Sequence, residues 1–121
     1  MPYQLSTFAL PDGRRCVRLD WSGTITGEDA DAALSECEPG GSVYGLPVLA
    51  MGQKIANLSP EARAIFSSQR RDSFTEKMAL VIAKPVLRVM ANFVLRVRRS
   101  HLQRLFSTEA EAIAWLLEKG A

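Results

Sequence analysis

Lys77-Met-Ala-Leu-Val-Ile-Ala-Lys-Pro85, the run Val86 to Arg99, Gln103-Arg-Leu-Phe106 and Ser107-Thr-Glu-Ala-Glu111, leading to Ala114-Trp-Leu-Leu117, together decide the fold. Met78 to Ala83 is apolar at every position, as in a strand covered on both faces. Lys84-Pro85 ends that strand, because proline has no N–H for the ladder and a backbone angle preset for the first turn of a helix. Val86 to Arg99 has helical periodicity and four arginines. Gln103 to Phe106 is long enough only for a short strand. Thr108 then caps a closing helix whose first turn is acidic, as the positive end of the helix dipole favours. Strand, helix, strand, helix predicts an α/β domain with a mainly parallel sheet.

The first 76 residues extend the pattern. Tyr3 to Leu10 reads as a strand, and Pro11-Asp12-Gly13 supplies turn chemistry. Cys16 to Trp21 alternates, with Val17, Leu19 and Trp21 on one face, so it should return as the second arm of a hairpin. Thr26 with Asp29 three residues on resembles a capping box and predicts a helix from Gly27 to Cys37. Leu46 to Met51 reads as a third strand, and Gly52 to Leu58 as a connecting loop with Ile55 and Leu58 as apolar pegs. Ser59-Pro60-Glu61 marks another helix start, running to about Arg70. The expectation is an α/β domain over residues 1–121. It has about five strands in a mixed, mainly parallel sheet, four helices and an N-terminal β-hairpin. The apolar fourth strand should be central. If the strands add in chain order, right-handed crossovers gather the connecting helices on one face, which leaves part of the other face in need of cover.

A chain of 121 residues can bury one core without staples. Cys16 and Cys37 match no zinc spacing and read as reduced thiols. No basic segment leads an apolar stretch at the N-terminus, and no run is long enough to span a bilayer, so a cytoplasmic protein is expected. The net charge of +2 conceals an asymmetry. Residues 1–76 carry a balance of −3, residues 77–121 one of +5, and Lys77 to Arg104 holds seven basic side chains and no acid. Such a split steers acidic partners or simply forms a solvated face.

On a helical wheel at 100° per residue, Val86, Val89, Met90, Phe93 and Val97 form a core stripe, and Arg88, Asn92, Arg96 and Arg99 a polar face. Leu87, Ala91, Val94 and Leu95 widen the apolar arc well beyond the single stripe of an ordinary surface helix. That excess marks Leu87, Arg88, Ala91, Asn92, Val94, Leu95, Arg96 and Arg99 as the candidate partner or ligand surface. The alternatives are packing within the domain, a protein partner or second copy, or an apolar ligand. Nucleic acid is disfavoured, because Phe93 is the helix's single aromatic. No catalytic motif, phosphate loop or metal motif is present, so no cofactor is expected. Asp20 reads as a turn or pairing residue, His101 as a surface-loop residue, and Ser59 as an N-cap that is also a weak phosphosite candidate.

Several phrases resemble a known family. The strand Met78 to Ala83, the segment Val89-Met-Ala-Asn-Phe-Val94, the stretch Leu105-Phe-Ser-Thr-Glu-Ala-Glu-Ala112 before Ala114-Trp-Leu116, and Ser59-Pro-Glu-Ala-Arg63 are similar to the SpoIIAA-like group. These are bacterial relatives of the STAS domains of anti-sigma-factor antagonists. The resemblance implies a compact domain that binds a protein partner, in some branches under serine phosphorylation. In the matching register Ser59 stands where the antagonists carry Asp, and Pro60 where they carry the phosphorylatable Ser. Ser59 takes that role only in a register shifted by one. Three functional readings follow. The first is a non-enzymatic regulatory or interaction module working with a protein partner or as a homodimer. The second is a carrier of a lipid or small apolar ligand. The third is an enzyme using Asp20, His101 or Ser59.

Overall fold

The computed structural model describes residues 3–68, 76–97 and 102–118. Its elements are β1 (Tyr3–Ala9), β2 (Arg15–Ile25), α1 (Gly27–Cys37), β3 (Val48–Leu58), α2 (Pro60–Phe66), β4 (Met78–Val81), α3 (Pro85–Val97), β5 (Gln103–Phe106) and α4 (Glu109–Leu117). The strands lie in chain order, β1 to β5, across one sheet. β1 runs antiparallel to β2, and the remaining pairs are parallel. The fold is the five-stranded mixed α/β arrangement that the sequence predicts, with its N-terminal hairpin. Gly13 closes the hairpin turn with φ of +90°, a conformation that side chains disfavour. β4 is interior as expected, but β3 holds the middle position.

Each parallel crossover returns on the same side, so α1, α2 and α3 cover one face. Val17, Leu19, Trp21, Val48 and Ala50 meet Ala30, Ala33, Leu34, Ala62, Leu87 and Ala91 there. α4 follows the last strand and covers part of the opposite face, where Cys16, Leu49, Ala79 and Val81 pack on Ala112, Trp115 and Leu116. Alanines at the helix contacts bring the helices close to the sheet. α1 begins with the full capping box. The Thr26 hydroxyl accepts from Asp29 N–H, and Asp29 accepts from Thr26 N–H at 2.9 Å. The α4 C-terminus is tied by cations, as its dipole favours. Lys77 Nζ donates to the carbonyls of Trp115 and Glu118 at 2.8 and 2.7 Å, and Arg14 donates to Leu116 O at 2.7 Å.

Several boundaries differ from the sequence reading. Gly52 to Leu58 is not a loop but the second half of β3. β2 continues past Trp21 to Ile25 and offers that segment a ladder, with register shifts after Asp20 and Gly23. Gly52 is required there by proximity, because a Cβ would lie 2.7 Å from Ile82 Cγ1. α2 ends at Phe66 with Ser67 as its C-cap; Arg70, where the sequence suggests its end, lies outside the described residues.

Candidate functional site

α3 is positioned by the end of β4. Pro85 opens the helix, and Arg88 N–H donates to Lys84 O at 2.9 Å. The Arg88 guanidinium reaches back to the sheet, donating to Ile82 O at 2.8 Å and to Ser107 Oγ at 3.0 Å. Arg88 therefore ties α3 to the ends of β4 and β5 rather than standing free on a polar face.

The helix is rotated relative to the wheel reading. Leu87 and Ala91 point into the core, at 6% and 4% exposure. Val86 and Val89, assigned above to the core stripe, are 74% and 70% exposed. Leu87 and Ala91 thus exchange roles with Val86 and Val89, while the side chains of Met90, Phe93 and Val97, the rest of the expected core stripe, lie outside the described residues. A wheel fixes the angles between side chains but not which way the helix faces, and two overlapping apolar arcs leave that phase open. Here small Ala91 allows close approach to the sheet, and the Arg88 contacts hold the rotation. Leu87 and Ala91 are thus core residues and not an outward surface. Asn92 is exposed. The side chains of Val94, Leu95 and Arg96 lie outside the description, as does Arg99.

The helical face of the sheet also holds a partly open apolar cavity of about 90 Å3, bordered by Leu19, Trp21, Leu34, Phe66, Ile82 and Ala91 among others. Trp21 and Phe66 meet edge to face across 5.9 Å. Cys37 borders the cavity too, and burial pushes its thiol up to about 11.

The opposite face holds a polar groove of about 500 Å3 beside α4, lined by Gln4, Arg18, Asp20, Met51, Gln53 and Lys54 among others. Arg18 crosses it. Its Nε donates to both Asp20 oxygens, at 3.1 and 3.0 Å, and its Nη1 to Glu109 at 2.9 Å. These carboxylates hold the Arg18 guanidinium above its ordinary range. Asp20 is thus a pairing residue within a strand. Sequence reasoning missed its partner Glu109, which comes from the far end of the chain.

Ser59 caps α2. Its Oγ accepts from Ala62 N–H at 3.0 Å, and its N–H donates to Ile25 O at 3.0 Å. Asp20 stands on the α4 face and Ser59 at the start of a helix on the other face, so the fold does not bring these two together. His101 lies outside the described residues. Among the described residues no group of three or more ligating side chains is placed to hold a metal ion. No helix among them is long and apolar enough to cross a membrane.

Residues 42–119, from the approach to β3 through α4, match the family model described as a domain of unknown function, DUF7793. The chain belongs to that family. No curated protein matches it. Among solved structures, the fold is similar to an uncharacterized protein of the DUF3478 family with a SpoIIAA-like fold from Shewanella loihica PV-4. That likeness has a TM-score of 0.69 and 13% identity, over 94% of this chain and 93% of that one. It is also similar to the anti-sigma factor antagonist SpoIIAA in its unphosphorylated form. Here the TM-score is 0.61 and the identity 13%, over 94% of this chain and 96% of that one. The chain therefore has a SpoIIAA-like fold, as the sequence phrases suggest.

Proposed function

We propose that the domain is a non-enzymatic, cytoplasmic interaction module of the STAS kind, capturing a protein partner through the outer face of α3. The observation that carries this reading is the exposed pair Val86 and Val89, one helical turn apart. Exposed Lys84 and Asn92 flank the pair, and no acid falls between Lys77 and Arg104. An apolar pair in a basic setting suits a partner whose own apolar residues are ringed by carboxylates. The likeness to an anti-sigma factor antagonist supports a regulatory partner in general terms.

The test compares the wild-type domain with Val86→Glu/Val89→Glu as bait in extract from the native cell. Any captured protein is then purified and its affinity for each bait measured by calorimetry. The expected result is a saturable complex, weakened at least tenfold by the double variant at unchanged melting temperature. A partner that binds both baits equally well refutes the α3 surface.

The apolar cavity supports a second reading, a site for a small apolar ligand. Its volume of about 90 Å3 is below that of the roughly 150 Å3 void that accepts benzene, so the ligand would have only a few carbon atoms in the cavity. Native mass spectrometry and thermal shift with benzene or a short alkanol test it. No bound mass and no shift at saturating probe remove this reading.

A further inference from the structure

β1 forms one edge of the sheet, and no strand among the described residues lies beyond it. Its sequence, Tyr3-Gln-Leu-Ser-Thr-Phe-Ala9, has no charge, proline or glycine. It pairs with β2 residue for residue, with no bulge. Natural sheets ordinarily blunt an edge with a lysine, a proline, a bulge or a very short strand, because open N–H and C=O groups recruit other strands. The opposite edge, β5, follows that rule: it is four residues long and carries exposed Arg104. β1 has none of these protections, and Gln4, Ser6, Thr7 and Ala9 are exposed.

The backbone direction of β1 follows from β2. Val17 N–H donates to Pro47 O, on the β3 side. Alternation along the strand turns Val17, Leu19 and Trp21 toward β3, and Cys16, Arg18 and Asp20 toward β1. The latter three oppose Phe8, Ser6 and Gln4. The N–H and C=O groups of Tyr3, Leu5, Thr7 and Ala9 therefore point to the open edge.

We propose that a second copy of the chain docks on this edge, β1 against β1, antiparallel about a two-fold axis at Ser6. This register sets Leu5 opposite the partner's Thr7 and Tyr3 opposite the partner's Ala9. It keeps every side chain on its own face of the sheet and forms about eight backbone hydrogen bonds. The two sheets become one continuous sheet.

The absence of charge is what favours a second copy over a foreign strand. A two-fold axis at Ser6 brings that residue against its own image and sets Leu5 and Thr7 diagonal to theirs, so a charge at any of these three positions would meet a like charge within about 8 Å. A strand built for an unrelated partner has no need of neutrality and gains selectivity from charge. Seven paired residues a side is a small interface, in the transient class below about 1,200 Å2. The dimer should therefore depend on concentration.

Sedimentation equilibrium on the full chain, from micromolar to about 1 mM, measures the dimer. Ser6→Lys, an exposed position, sets two lysines face to face and should raise the dissociation constant about fivefold in a protein that circular dichroism shows to be folded. Cysteine scanning reads the register. Ser6 opposes its own image as a non-hydrogen-bonded pair, with Cα atoms about 4.5 Å apart. Ser6→Cys should therefore cross-link quickly under mild oxidation, while Thr7→Cys should not. The native thiols are buried and do not compete. A wild-type monomer throughout the range overturns the proposal and leaves the edge to a strand of another protein. Unchanged dimerisation by Ser6→Lys, or equal cross-linking at both positions, overturns it as well.

Discussion

The facing of α3 is the point on which the functional surface turns, and a pair of substitutions tests it directly. Leu87 is 6% exposed within the core under α1–α3. Leu87→Ala removes three carbons, worth about 2.4 kcal/mol at about 0.8 kcal/mol per methylene. Incomplete collapse of the space left behind raises the expected loss to about 3 kcal/mol. Val89→Glu replaces a side chain that is 70% exposed. Surface changes of that kind stay within about 0.5 kcal/mol, and Glu is a better helix former than Val. Trp21 and Trp115 are both buried, on opposite faces of the sheet, so their fluorescence follows urea unfolding from both layers. Leu87→Ala should lower the urea midpoint at unchanged m-value and lower Tm by roughly 10 °C. Val89→Glu should leave both close to wild type. If Val89→Glu is the more damaging, or Leu87→Ala is silent, then α3 faces as the simple wheel has it, and the surface assigned to Val86 and Val89 does not exist.

Three further outcomes are expected. Ser59→Ala removes the acceptor for Ala62 N–H and should cost about 1 kcal/mol by chemical denaturation, while Ser59→Asp should restore most of it. Gly52→Ala forces a Cβ to 2.7 Å from Ile82 Cγ1 and should cost about 1–3 kcal/mol, a loss relieved in part by adding Ile82→Ala and measured as a double-mutant coupling. Burial raises the Cys16 and Cys37 thiols from 9.0 to about 11, so the folded state holds their protons more tightly than the unfolded state. Their contribution to stability is therefore intact below about pH 9 and lost as pH rises toward 11. The decline should be shallower in Cys16→Ala/Cys37→Ala, and the native thiols should react with a disulfide reagent only on unfolding.

Much of the architecture is legible residue by residue. The Thr26–Asp29 box, Ser59-Pro60, Pro85 and Thr108 each satisfy or remove orphan N–H groups at a helix start. Their positions therefore fix where α1 to α4 begin without reference to the rest of the molecule. The second half of β3 was not legible, because its ladder exists only where β2 runs on beside it. Ile55 reads as a peg in either conformation. Arg18, Asp20 and Glu109 were not legible as a unit either, since two of them are neighbours on one strand and the third is brought in by α4.

The sequence by itself determined the order of elements, the caps and the hairpin turn. All of these follow from local backbone chemistry and from the period of apolar residues, quantities contained within a few consecutive positions. Only the tertiary structure decided which side of α3 meets the sheet and which meets the surroundings. The apolar arc of that helix accommodates more than one rotation. The choice was made by contacts from outside it: Arg88 to Ile82 and Ser107, and Ala91 against the sheet. It is the same with β1, whose neutral sequence is an ordinary strand until the strand order leaves it at an edge. What an edge or an outward face can bind depends on what the rest of the chain has left uncovered, and that is settled only when the layers pack.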